Sequence, residues 1–295
     1  MFDAIIETVL DSVKMLPILY LTYLIMEYIE HHFSEKSEDF ISRIGAVGPL
    51  AGAGIGLVPQ CGFSVAVAGF YAARVVTPGT LFAVFLATSD EMLPIMISEA
   101  VPVRVILRLL AAKFLFGMAF GFLADGIVMA VRRALRRKDT DAVRIHEICE
   151  REKCSCDDED DGREGNIFLA ALKHTVQIFL FVLAASLITT VVIGLAGEGT
   201  LSGLILNIPF AGEAAAGLIG LIPNCAASVV LTELYLGGAT SSGALVSGLL
   251  SASGLGVLVL FRMNRPMKEN VLILAALYVF AVLGGLLVSF LGISF

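Results

Sequence analysis

Two short motifs with the same order of residue types carry the side chains best suited to binding a metal or a polar solute. Each consists of a proline, an amide residue and a cysteine, with a serine three residues further on. The two sets are Pro59, Gln60, Cys61 and Ser64, and Pro223, Asn224, Cys225 and Ser228. Cysteine sulfur prefers soft metals and metalloids, whereas amide and carboxylate oxygens suit harder cations. The motifs therefore supply candidate ligands of two kinds.

The backbone around each motif is rich in glycine and small residues, and this predicts an interrupted helix. Proline removes a backbone donor and frees a carbonyl, so helices break at Pro59 and Pro223. A break at membrane depth is tolerated where it lines a cavity or is covered by protein. Paired breaks in corresponding places indicate a central binding site. The alternative is that the prolines only kink their helices and the cysteines pack as small hydrophobic residues.

Four charged residues lie inside otherwise apolar segments, namely Asp90, Glu91, Lys113 and Glu233. A charge at that depth is costly unless it is paired or hydrated. Asp90 and Glu91 could bind a cation, carry a coupling proton or neutralise Lys113. A purely structural pair with Lys113 is the alternative. The second half has no acid at the positions equivalent to Asp90 and Glu91.

A polar segment in the middle of the chain contains a second group of potential metal ligands. They are His146, Cys149, Cys154 and Cys156. Their spacing allows them to share a soft cation but matches no standard zinc module. The alternative is a solvated linker with incidental reduced cysteines.

The composition places the rest of the chain in a lipid bilayer. Hydrophobic residues make up 57% of the 295 residues, mean hydropathy is +0.88, and charged residues are 16%, where a soluble domain carries roughly 25%. No basic footprint for nucleic acid is present. The first dozen residues contain Asp3, Glu7 and Asp11 without a leading basic cluster, so we expect no signal peptide.

The elements that position the motifs form two related halves, separated by an offset of 164 residues, as from Pro59 to Pro223. The same offset pairs Tyr71 with Tyr235 and Gly121 with Gly285. Each half contains five hydrophobic segments. These lie near 11–29, 44–58, 61–75, 79–98 and 103–131, and near 175–195, 208–222, 225–237, 243–261 and 270–293. Because five is odd, the sequence predicts an all-α membrane protein of about ten transmembrane segments, built from two five-segment inverted repeats.

The distribution of charge predicts the topology. Residues 1–132 form the first repeat, 133–165 a charged linker and 166–295 the second repeat. The basic run from Arg132 to Lys138 and the later Arg262, Arg265 and Lys268 belong on the cytoplasmic side. Both termini are then outside, and the linker is cytoplasmic. The sequence leaves open whether the protein forms a homodimer.

Motifs of enzymes are missing from the sequence. There is no HExxH, no GxSxG and no Walker loop, so we expect no enzymatic activity and no cofactor. Energy for transport would come from an ion gradient or from a separate ATPase.

The stretch Pro59-Gln60-Cys61-Gly62, with Thr80 to Pro94 after it, resembles the family of ten-span heavy-metal exporters, over essentially the whole chain. Members of that family are named arsenic efflux proteins or manganese transporters. The segment from Ala83 to Ser89 is similar, more distantly, to one in the arsenical permeases. This chain departs from the permease pattern because it has one cysteine per half and Ser89 where a proline would follow the threonine.

Three functions are consistent with these residues. The first is a secondary exporter of a metal or metalloid, working by alternating access at a midplane site. Cys61 and Cys225 suit arsenite-like species or soft metals. Manganese or a similar hard cation is better suited by the oxygen-bearing side chains Asp90, Glu91, Glu233, Gln60 and Asn224. The second is a proton-coupled permease for a small organic solute. The third is a regulatory membrane protein whose linker binds metal.

Overall fold

A computed structural model describes residues 37–59, 62–89, 92–134, 210–223 and 226–295, together with isolated helical positions within 10–24 and 172–187. The described residues are helical and contain no strand. Several predicted ligands lie outside the described residues. They are Gln60, Cys61, Asp90, Glu91, Asn224, Cys225 and the four linker residues His146, Cys149, Cys154 and Cys156.

The described residues form five helices in each half. Those of the first half are α1 (Ser37–Gly56), α2 (Gly62–Ala72), α3 (Pro78–Ala87), α4 (Met92–Ser98) and α5 (Val103–Ala134). Those of the second half are α6 (Ala211–Gly220), α7 (Ala226–Leu236), α8 (Ser242–Ser251), α9 (Gly256–Met263) and α10 (Met267–Phe290).

The helices repeat with the offset seen in the sequence. The first residues of α2, α3, α4 and α5 each lie 164 positions before those of α7, α8, α9 and α10. The caps repeat as well, because the Thr77 hydroxyl accepts from the Thr80 amide, and the Ser241 hydroxyl accepts from the Ala244 amide, both at 3.1 Å. Such caps satisfy a donor that the first helical turn leaves open. The inverted orientation of the two halves in a bilayer stays a prediction.

Two predicted segments are interrupted. Residues 79–98 were expected to form one segment but contain α3 and α4, and residues 243–261 contain α8 and α9. At the first interruption the Thr88 hydroxyl donates to the Val84 carbonyl at 2.7 Å, a local bond that competes with the helical ladder. At the second, Gly254 adopts a φ of +59°, which ends the helical run.

Four stretches in the described part of the chain are long and apolar enough to cross a membrane. They are Pro78–Ser98, Val103–Ala134, Ser242–Met263 and Met267–Phe290. The long helices α5 and α10 also expose large apolar side chains, such as Leu107, Phe122 and Leu272. Exposed apolar surface on this scale is typical of contact with lipid. The protein is therefore a multi-pass membrane protein, and the count of ten spans stays a prediction.

The core is built around α3 and α8, which contact each other in the middle of the molecule. Helix α3 packs against α1 and α5, and α8 packs in the same way against α6 and α10. Every residue from Gly79 to Ala87 and from Gly243 to Ser251 is buried. These two helices are therefore covered by protein on all sides.

The short helices α2 and α7 pack across the halves. Helix α2 lies against α9 of the second half, and α7 lies against α4 of the first half. The approach is close, because a Cβ atom added at Gly256 would lie 2.7 Å from the Ser64 carbonyl oxygen. Each half therefore completes its packing with a helix of the other half.

Glycines permit the close packing of α5 on α3, and one of them provides a test. A Cβ at Gly121 would lie 2.7 Å from the Gly79 carbonyl oxygen, whereas a Cβ at Gly126 would meet nothing within 4 Å. We expect Gly121→Ala to lower the free energy of unfolding by about 1–3 kcal/mol, because overpacking forces backbone shifts. Gly126→Ala is the control in the same helix and should be neutral or stabilising by up to about 1 kcal/mol. Thermal unfolding in detergent measures both, and equal melting temperatures for the two variants would contradict this packing.

Candidate functional site

The helix breaks of each half lie side by side. The breaks are the gaps between α1 and α2, between α3 and α4, between α6 and α7, and between α8 and α9. In the first half, a Cβ at Gly56 would lie 2.7 Å from the Val84 carbonyl oxygen and 2.9 Å from the Ala87 Cβ. In the second half, a Cβ at Gly220 would lie 2.1 Å from the Ser251 hydroxyl. The end of the first helix in each half therefore touches the end of the third.

The breaks of the two halves also meet each other. Gly256, the first residue of α9, rests on the backbone of Ser64 in the first turn of α2. The break before α9 is therefore beside the break before α2, and contact between α7 and α4 provides a second junction between the halves. The predicted serines Ser64 and Ser228 are both buried, at 0% and 6% exposure. The first turns of α2 and α7, which follow two of the breaks, are thus buried in the bundle.

Lys113 on α5 joins the two halves beside these breaks. It is 1% exposed. Its ammonium group donates to the carbonyl of Thr88, the C-cap residue of α3. It also donates to the carbonyl of Leu249 on α8, at 3.0 Å. Carbonyls in the last turn of a helix carry partial negative charge, so they favour a cation. The equivalent position in the second half is Leu277, also fully buried, so the charge has no symmetric copy.

The remaining predicted residues have different positions. Pro59 is exposed just beyond α1, and Pro223 is partly buried just beyond α6. Glu233 is exposed on α7, away from the core that Lys113 occupies. The structure therefore places Ser64, Lys113 and the helix ends before Pro59 and Pro223 close together. Glu233 lies outside this group.

Buried hydroxyl groups at the breaks were not singled out from the sequence. They are Thr88, Ser89, Ser251 and Ser253, all at 3% exposure or less. Thr88, Ser89 and Ser251 donate to backbone carbonyls within their own turn. The pairing of Ser89 with Ser253 under the 164-residue offset was the sequence signal that could have identified them. Such hydroxyls keep oxygen lone pairs available for a polar solute or a cation.

A second polar cluster connects the halves at the end of α2. Arg74 forms a two-pronged ion pair with Glu269 of α10, at 2.6 and 2.7 Å, and the Tyr71 hydroxyl donates to the same carboxylate. The guanidinium also lies 5.1 Å from the centre of the Tyr71 ring. The hydrogen bonds to Glu269 raise the pKa of Arg74, which lies in the loop between α2 and α3. Nothing in the local sequence signals this cluster, because Glu269 lies nearly 200 positions after Tyr71 and Arg74.

Residues 2–202 match the model of a protein family described as "Putative, 10TM heavy-metal exporter". The chain belongs to this family. The match includes the first two helix breaks and Lys113, while the motif at Pro223 lies beyond it and is connected to the family by the internal repeat. Neither the curated proteins nor the solved structures contain a match to this member of the exporter family.

Proposed function

We propose that the protein is a secondary transporter that exports a metal or metalloid ion through a site at the converging helix breaks. The observation that supports this most strongly is the meeting of breaks from both halves around the buried Lys113. Breaks at corresponding places in two repeats are typical of transporter binding sites near the bilayer midplane. The family description favours a metal as the substrate.

The breaks would offer a substrate both donors and acceptors from the backbone. Helices α2 and α9 begin at the site, so their first turns present amide groups, and α1 and α3 end there and present carbonyls. Rocking of one repeat against the other would expose these groups to each side of the membrane in turn. We propose that the repeats are inverted, with ten spans, both termini outside and the 133–165 linker cytoplasmic.

The ligands that we propose for the ion come from both motifs. Cys61 and Cys225 would hold a soft metalloid, whereas Asp90 and Glu91, with amide oxygens, would hold a harder cation such as manganese. Lys113 would balance the acidic residues when the site is empty and release them when a cation arrives. The proposed role of His146, Cys149, Cys154 and Cys156 is to capture metal in the cytoplasm before transport.

The test is metal accumulation in cells that express the wild type and three variants. Cys61→Ala with Cys225→Ala removes the membrane thiols, and Asp90→Asn with Glu91→Gln removes the charges. Cys149→Ala removes one ligand of the proposed capture group, which should weaken capture without stopping transport. If the site binds through cysteine sulfur, cells that express the wild type accumulate less arsenic. Only the double variant at the two membrane cysteines restores arsenic accumulation. If the site binds through oxygen ligands, cells that express the wild type accumulate less manganese. Only the double variant at the two acids restores manganese accumulation. The proposal would be contradicted if the protein exported no metal from cells and moved none in liposomes under any ion gradient.

The second candidate is a proton-coupled permease for a small organic solute. The buried hydroxyls of Ser64, Ser89, Ser228 and Ser253 favour it, because they could form hydrogen bonds with a polar solute. If this candidate is correct, added metals do not affect the growth of a deletion strain. The cysteine variants then behave like the wild type.

A further inference from the structure

Arg74 holds a backbone conformation that favours glycine. It lies two residues after the end of α2 with a φ of +62°, in the left-handed region that side chains with a Cβ atom rarely adopt. The equivalent residue of the second half is Gly238, with a φ of +72°. Both loops close in the same way, because the Arg74 amide donates to the Tyr71 carbonyl at 2.9 Å and the Gly238 amide to the Tyr235 carbonyl at 3.0 Å. The first half therefore has an arginine where the backbone favours glycine.

The contacts of the Arg74 side chain give a reason for this arginine. Its guanidinium forms the two-pronged ion pair with Glu269, in the first turn of α10, and the Tyr71 hydroxyl donates to the same carboxylate. Two-pronged pairs of this kind are among the strongest hydrogen bonds in proteins and fix the geometry of both partners. Backbone strain that persists at one residue is concentrated at functional contacts. The strained arginine thus indicates that the link between α2 and α10 has a function.

The glutamate of this link is held on a rigid support. Asn264, the C-cap residue of α9, and Asn270, in the first turn of α10, are 3% and 0% exposed. The Asn264 side-chain amide donates to the side-chain oxygen of Asn270 at 2.6 Å, and the Asn270 amide donates to the Asn264 carbonyl at 3.0 Å. Buried polar networks whose members are satisfied make their surroundings rigid. The turn that carries Glu269 is therefore fixed to the second half.

The equivalent place at the other junction of the halves has no charged link. Gly238 and Val105 stand where the arginine and the glutamate would be, so an ion pair cannot form there. Tyr235, the counterpart of the tyrosine, donates instead to the carbonyl of Phe295 in its own half, at 2.7 Å. The two junctions therefore differ in the one feature that resists their separation by charge.

The charged link lies at the end of the molecule that we propose to be cytoplasmic. Thr77, three residues after Arg74, donates its hydroxyl to Asp125 on α5 at 2.8 Å. Helix α5 continues for little more than two turns beyond this contact and has Arg132 and Arg133 in its last turn. Basic residues next to a span favour the cytoplasmic side. The link therefore joins the halves on the side from which an exported ion would enter.

We propose that Tyr71, Arg74 and Glu269 form the cytoplasmic gate of the transporter, an inference that rests on the proposed function. The ion pair holds α2 of the first half to α10 of the second and keeps the helix breaks closed to the cytoplasm. When the two repeats rock apart at this end, the pair separates and the ion reaches the breaks. The strength of the pair then sets the fraction of molecules that are open to the cytoplasm.

The first experiment uses the native cysteines and needs no substrate. Cys61 and Cys225 are in the proline motifs at the breaks, and Cys149, Cys154 and Cys156 are in the linker. The full chain is treated with a membrane-impermeant maleimide in inverted membrane vesicles and in whole cells, and mass spectrometry measures the labelling of each cysteine.

The wild type should show a closed gate. In inverted vesicles the linker cysteines should react at once, which identifies the cytoplasmic face, and Cys61 and Cys225 should react at least about tenfold more slowly, as expected when the open state is a minor one. Membrane cysteines that react as fast as the linker would overturn the gate. Labelling of the linker in whole cells would overturn its assignment to the cytoplasmic side.

The second experiment removes the gate with Arg74→Gly. Glycine is the residue that the second half uses at this backbone position, so the variant should fold. Labelling of Cys61 and Cys225 in inverted vesicles should rise about tenfold, because hydrogen bonds to a charged group shift an equilibrium by about that factor or more. Labelling in whole cells should not rise. If the link only stabilised the fold, Arg74→Gly would melt at a lower temperature and label as the wild type does, and this result would overturn the proposal.

Two further variants control this test. Arg74→Glu with Glu269→Arg restores opposite charges and should return the labelling towards that of the wild type, whereas labelling as high as in Arg74→Gly would count against the ion pair. Lys268→Gln changes an exposed neighbouring charge and should label as the wild type does. If the labelling changes as expected but no metal is moved, the proposed substrate is wrong while the gate stands. If metal is moved and the labelling of Arg74→Gly is unchanged, the gate is wrong and the proposed function stands.

Discussion

Replacing Lys113 with methionine is expected to lower transport roughly tenfold to a hundredfold, because a charge-assisted hydrogen bond contributes about 1.5–3 kcal/mol. The ammonium group contacts the carbonyls of Thr88 and Leu249, so it connects a helix break of the first half to the central helix of the second. Methionine keeps the length of the side chain and removes the charge and the donors. The measurement is the rate at which each protein moves into vesicles the ion that the wild type transports.

The control for this prediction is Leu277→Met at the equivalent position of the second half. Leu277 is fully buried as well, so the fold already accepts an apolar side chain there, and this variant should transport normally. Lys113→Met also removes the donor to two buried carbonyls and the charge proposed to balance Asp90 and Glu91, so we expect it to be less stable than Leu277→Met. Melting temperatures of both purified variants check this point. Wild-type transport by a folded Lys113→Met variant would exclude a role for the charge.

Glu269→Gln is expected to destabilise the protein by about 1–3 kcal/mol, the cost of leaving a charged hydrogen-bond partner unsatisfied. The substitution breaks the two-pronged pair with Arg74 and weakens the bond from Tyr71, which together hold the end of α2 to the start of α10. Arg74 is 13% exposed at its side chain, so solvent replaces the lost partner poorly. Thermal unfolding in detergent measures the effect.

Two further variants make this result specific. Lys268→Gln changes the charge of the neighbouring residue, which is exposed, and should alter stability by less than about 0.5 kcal/mol. The double variant Arg74→Glu with Glu269→Arg restores opposite charges and should recover part of the lost stability. A Glu269→Gln variant as stable as Lys268→Gln would show that the pair contributes nothing.

The sequence by itself determined the features that depend on local composition and on repetition. Apolar segments of sufficient length predicted a helical membrane protein, and α5 and α10 confirm this. The repeated proline motifs predicted the breaks after α1 and α6, because proline interrupts a helix through its own ring and missing donor. The resemblance at Pro59-Gln60-Cys61 to the exporter family was confirmed by the family match.

Only the tertiary structure decided which distant groups meet. Two contacts join residues from separate helices, namely the bonds from Lys113 to its carbonyl partners and the pair of Arg74 with Glu269. The two additional breaks, after α3 and α8, contain no proline at the break itself and end in hydroxyl bonds and a glycine turn. Hydropathy reports whether a segment prefers lipid to water, but it carries no information on which face of a helix meets another, and that choice positions the charged groups.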